Sequence, residues 1–122
     1  MRARKNQAFH IRLRFAWAGL IQGLRLERSL RFHAAAFVLV VIVLLVLRPG
    51  PIWWALVILA SVAVFAAELF NTAVEHLADH LHPEVHTQIR MVKDCAAAAV
   101  LVTVLGALAV AIALLIHVAK SF

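Results

Sequence analysis

Residues 95–116 read CAAAAVLVTVLGALAVAIALLI, 22 positions without a charge, closed by His117 and Lys120. At about 1.5 Å per residue a helix of this length crosses the roughly 30 Å hydrocarbon layer of a bilayer. Its Ala-rich first half allows close approach of another helix. The stretch makes the chain a membrane protein, with 65% hydrophobic residues overall and a mean hydropathy of +0.95.

Towards the N-terminus, the second apolar segment opens at Ile52, with Trp53 and Trp54 where an interfacial aromatic belt sits. No helix breaker follows until Pro83, so one helix of about 30 residues, roughly 45 Å, is predicted, longer than the membrane is thick. Its apolar part, Ile52 to Ala67, belongs in the bilayer, and the part from Glu68 onward passes through the interface towards water. The polar stretch His80 to Val92, with Pro83 and three histidines, is expected to be a loop. Phe32 to Leu47, FHAAAFVLVVIVLLVL, is a further span of only about 24 Å, so it must take a turn from Ser29 to Arg31, whose arginine can snorkel. Arg48-Pro49-Gly50-Pro51 ends that span in a tight hairpin.

Before it, Phe9, Leu13, Trp17, Leu20 and Leu24 recur every three or four residues, with Arg14, Gln22 and Arg25 on the opposite side. This is an amphipathic helix suited to the membrane surface. The expected architecture is all-α: a single unit over 1–122, with a surface helix at about 5–30 and membrane helices at about 30–47, 52–81 and 91–117.

Eight of the twelve Lys and Arg residues lie between Arg2 and Arg31, and the net charge is +6. That excess places the N-terminus and the His80 to Lys93 loop on the cytoplasmic side and, with three spans, the C-terminus outside. No soluble domain is left to carry a nucleic-acid site, so the basic residues are read as orienting the chain and touching anionic headgroups. Arg2, Arg4, Lys5, Arg12 and Arg14 interrupt any secretory signal. The single cysteine, Cys95, excludes an intrachain disulfide and a multi-cysteine zinc site.

The chain has six acidic residues, and three of them fall in AELFNTAVEHLAD, residues 67–79. At about 100° per residue, Glu68, Glu75 and Asp79 project within roughly 40° of one another, flanked by Asn71 and Thr72, in a stripe about 16 Å long. Asp79 and Glu75 can be solvated beyond the membrane edge. Glu68 follows VAVFAA directly and needs a protein interior, a wet cleft or a cation. Lys93 and Asp94 stand at the start of the last helix on the same side, where an aspartate can answer the helix dipole and a lysine can snorkel, or where the two can meet an anion or a metal. Glu27 and Glu84 lie on that face too. Carboxylates, an amide and a lysine at one membrane surface suit Mg²⁺ and phosphate, yet no glycine-rich phosphate loop is present. A cation carrier lined by Glu68 is the competing reading. It is disfavoured because Leu56 to Phe65 offers only Ser61 as a polar group.

ELFNTAVEHLAD at 68–79, KDCAAAAV at 93–100, and FAWAGL with ERSLRFH within 15–33 together resemble the prokaryotic diacylglycerol kinase family, which includes the undecaprenol kinases. The likeness runs from Phe15 to the end of the last span. It implies a homotrimer of three-span subunits in the bacterial inner membrane, transferring the γ-phosphoryl of ATP to a lipid hydroxyl at the cytoplasmic face. By position, Glu68 would be the general base, Glu27 and Glu75 would hold Mg²⁺, and Asn71 and Asp79 would support that site. Glu84, Val85, His86, Lys93 and Asp94, with Glu27 and Glu75, would meet the nucleotide, and Arg31 and Glu68 the lipid. Phe15 stands where well-known members carry tyrosine, and neither Arg12 nor Arg14 is in register with their N-terminal arginine. ERSLRFH and the NTA triplet look more like the undecaprenol kinase branch.

Overall fold

The computed structural model describes residues 6–122, so the expected start of the surface helix at residue 5 and the basic residues Arg2, Arg4 and Lys5 lie outside the described residues. Four helices follow in order: α1 Phe9–Leu26, α2 Arg28–Leu47, α3 Pro51–Leu81 and α4 Thr87–Lys120. The last three are long and apolar enough to cross a membrane.

Glu27 alone separates α1 from α2. Its extended backbone (φ −105°, ψ 117°) turns the chain, and its N–H still donates to the Gly23 carbonyl. Arg31 completes the corner: Nη1 donates to the carbonyls of Leu24 (3.1 Å) and Arg25 (2.8 Å), which a helix end leaves without partners. Leu30 is fully buried there, and a Cβ on Gly23 would lie 2.9 Å from its Cδ1 and 3.3 Å from Cδ2 of Leu69. Glycine is therefore what lets α1 close onto α2 and α3.

At the other end of α2, Arg48 takes a left-handed conformation (φ 47°, ψ 51°) and donates its N–H to Leu44, and Pro51 occupies the first turn of α3, where no N–H is needed. α3 packs chiefly on α4 and to a smaller extent on α2, and α1 rests against the α2–α3 corner. Leu44, Val57 and Leu114 form the core near the hairpin, with Trp53 and Trp54 packed against them. Most other apolar side chains of α2 to α4 face outward, as lipid-facing spans do.

The loop between α3 and α4 is shorter than expected. His80 and Leu81 finish α3, and Thr87 to Val92 already belong to α4, leaving 82–86 as the connection in place of His80 to Val92. Polarity marks where a helix leaves the bilayer, not where it ends. The stop is set by Pro83, and the restart by His86, whose Nδ1 accepts the Gln88 N–H at 3.2 Å.

Candidate functional site

The inward stripe of α3 runs Val57, Val64, Glu68, Ala78, so the periodicity that buries two valines also buries a carboxylate. Glu68 is 7% exposed. A buried carboxylate needs partners, and α2 supplies them. Ser29 Oγ donates to Oε1 at 2.5 Å, and His33 Nε2 stands 3.8 Å from Oε2. Ser29 and His33 are four residues apart and so share one face of α2. Neither was singled out from the sequence, although the i, i+4 polar pair in ERSLRFH is a signal that could have found them.

One turn further on, the half-buried Asn71 presents a buried side-chain oxygen, Oδ1, without a hydrogen-bond partner. Glu27 Oε1 meets His76 Nε2 at 2.7 Å, which ties the α1–α2 corner to α3 beside Glu75. Glu75 itself is exposed. A groove of about 480 Å³ between α1 and α3 is bordered by Gln22, Glu27, Thr72 and His76. Among the described residues no group of three or more His, Cys, Asp or Glu side chains gathers closely enough to hold an ion unaided. Magnesium is usually held by one or two carboxylates, with phosphate and water oxygens completing its shell. The hard oxygen donors of Glu27 and Glu75 suit that arrangement.

About 16 Å along α3 from Glu68, Asp79 pairs with Lys93 of α4. Asp94 is on another side of α4 and pairs with Arg90, 4.0 Å away and one turn earlier. The adjacent residues Lys93 and Asp94 are thus divided: the lysine faces α3, and the aspartate lies on the exposed flank. Asp79, Glu84, Val85, His86, Arg90 and Lys93 border a cavity of about 330 Å³. Arg90, unremarked in the sequence, adds a second cation to it. Arg31 is exposed and engaged on the carbonyls of α1.

On the membrane side, an apolar groove of about 340 Å³ runs between α2, α3 and α4, bordered by His33, Phe37, Ser61, Val64, Val104 and Ala107. The Ser61 hydroxyl donates to the Val57 carbonyl of its own helix at 2.8 Å, which leaves the groove without a polar path along α3. The candidate site therefore combines a buried carboxylate, one turn from the groove-lining Val64, with an outer cavity carrying two cations.

The sequence pattern of the family described as prokaryotic diacylglycerol kinase matches residues 14–115. The chain is 37% identical over 87 residues to the undecaprenol kinase of Bacillus subtilis, covering 71% of each protein. It is 34% identical over 101 residues to the diacylglycerol kinase of a Synechocystis species, covering 82% of this chain and 58% of that longer relative.

Proposed function

The chain belongs to the prokaryotic diacylglycerol kinase family and is a membrane lipid kinase; from that premise we propose that it transfers the γ-phosphoryl of ATP to the primary hydroxyl of undecaprenol. Diacylglycerol is the second reading, favoured by the Synechocystis relative. The observation that carries the proposal is the buried Glu68 carboxylate, one turn beyond Val64 and facing His33, both of which border an apolar groove. An apolar groove of about 340 Å³ suits a prenyl chain, and a base beside it suits a hydroxyl anchored by its tail.

In this reading Glu68 takes the proton of the acceptor hydroxyl, as phosphoryl transfer needs the nucleophile positioned and deprotonated. The nucleotide enters the outer cavity from water against Glu84, Val85 and His86, and Lys93 and Arg90 answer its phosphate charge. Lys93 is held by Asp79, which aims the ammonium into the cavity. Asp94, on the exposed flank of α4, acts on that wall through its pair with Arg90, and Asn71, with its unpartnered oxygen, supports the region between Glu68 and the nucleotide. Glu27 and Glu75 would hold Mg²⁺, which when bound neutralises phosphate charge and fixes the phosphates' orientation. Arg31 lies at headgroup depth on the lipid side. The working unit is a homotrimer in the bacterial inner membrane, its copies covering part of the outward apolar surface, with the N-terminus cytoplasmic and the C-terminus outside.

The test is turnover by purified protein in detergent with Mg²⁺-ATP and undecaprenol or diacylglycerol side by side. Faster phosphorylation of undecaprenol is expected. Turnover on diacylglycerol alone would reassign the acceptor, and none on either lipid would overturn the reading.

A further inference from the structure

The two oxygens of Glu68 are not equivalent. Oε1 accepts the Ser29 hydroxyl at 2.5 Å, whereas Oε2 faces His33 Nε2 across 3.8 Å. That gap is too long for a direct hydrogen bond. An oxygen atom seated beside the pair, at about 2.8 Å from each partner, can bridge them at an angle of roughly 85°. The imidazole and the carboxylate are both largely enclosed, with side chains 20% and 9% exposed. His33 also borders the apolar groove, together with Phe37, Ser61 and Val64. An amphiphile lying in the groove would bring its terminal hydroxyl to this gap.

We propose that the space between Glu68 Oε2 and His33 Nε2 seats the acceptor hydroxyl, which makes His33 a substrate-binding and catalytic residue. The proposal rests on the reading of Glu68 as the base. With the imidazole neutral and its proton on Nε2, His33 donates to the hydroxyl oxygen while that hydroxyl donates to Oε2. In the reaction the proton passes to Oε2, and the electron pair it leaves forms the new oxygen–phosphorus bond. The bond from the γ-phosphorus to the bridging oxygen breaks, and its pair departs with ADP. His33 keeps its proton throughout. Its N–H steadies the negative charge that grows on the attacking oxygen, as a preorganised donor does. Ser29 acts through Glu68: by occupying Oε1 it leaves Oε2 as the oxygen that reacts, so it is a positioning residue. Four residues apart on α2, the two side chains set the anchored and the reactive side of one carboxylate.

The experiment compares His33→Gln, His33→Asn, His33→Leu and Glu68→Gln with the wild-type full chain in detergent, using undecaprenol and diacylglycerol as acceptors. Glutamine places an amide N–H close to the position of Nε2; asparagine is polar but too short to reach it. Leucine and asparagine are expected to lower kcat/KM for the lipid about 10²-fold, with the KM for ATP unchanged, and glutamine to restore it to within about tenfold of wild type. Wild-type turnover in His33→Asn and His33→Leu beside an inactive Glu68→Gln would overturn the hydroxyl seat and leave the base reading standing. A fully active Glu68→Gln would overturn the base reading and the seat with it. Glutamine no better than asparagine, or an equal loss of ATP affinity, would assign His33 to packing and overturn the seat.

Discussion

Glu68 and Ser29 share one hydrogen bond, whereas Lys93 pairs with Asp79 some three turns along α3, so the two ends of the candidate site can be probed separately. Glu68→Gln keeps the shape of the buried side chain and removes its basicity, so turnover is expected to vanish while nucleotide binding, measured by calorimetry, persists. Ser29→Ala removes one charge-assisted hydrogen bond, a class contributing about 1.5–3 kcal/mol. The expected result is a fall in kcat of about tenfold or more at unchanged KM for ATP, with Ser29→Thr restoring the rate; an equal loss in both parameters would mean that Ser29 only packs. Lys93→Met belongs to the other end of the site. It should raise the KM for ATP by about tenfold and leave the KM for the lipid unchanged in steady-state assays. Glu68 was legible from sequence because an acid following VAVFAA stands out locally. Ser29 and His33 were not, because a serine and a histidine in the first turns of a span look unremarkable until α3 packs against them.

At the scale of the elements, the α1–α2 corner determines whether Glu27 reaches α3. Its tightest contact is Gly23 against Leu30 and Leu69. Gly23→Ala overpacks that contact, a change that destabilises by about 1–3 kcal/mol. A lower thermal midpoint in detergent is expected, together with reduced turnover as the Glu27–His76 contact is displaced. Leu30→Val, which removes the Cδ atom in the way, should recover part of both losses in the double variant. The α3–α4 connection teaches a complementary lesson. Thr87 to Val92 are polar enough to read as loop, yet they form the first turns of α4 once that helix is understood to begin in water. Hydropathy reports the solvent around a helix, whereas Pro83 and the His86 cap determine its limits.

For the whole molecule, the proposed orientation has the termini on opposite faces, which three spans and a basic N-terminal side support. A phosphatase fused after Phe122 should be active outside the cell and a fluorescent protein fused there dark, with the reverse pattern at the N-terminus. Identical behaviour at both ends would overturn the orientation. Side chains such as Leu39, Val46, Leu59 and Val102 remain outward-facing in one chain. Lipid or further copies must cover them, and cross-linking of the purified protein is expected to stop at three subunits.

Hydropathy and the helical period are properties of neighbouring residues, so the sequence by itself determined the three long apolar helices, the helix before them and the stripe of Glu68, Glu75 and Asp79. Apart from the i, i+4 pair of Arg90 and Asp94, the side-chain ion pairs were decided by packing between helices. Glu68 meets Ser29 from 39 positions away, and Glu27 meets His76 from 49. Lys93 takes Asp79 although Asp94 is its neighbour in sequence, because adjacent residues on a helix point about 100° apart while residues on facing helices meet. The docking of α2 and α4 on α3 is what gives the line of acids its partners: an apolar groove near Glu68 and a cavity with two cations at Asp79.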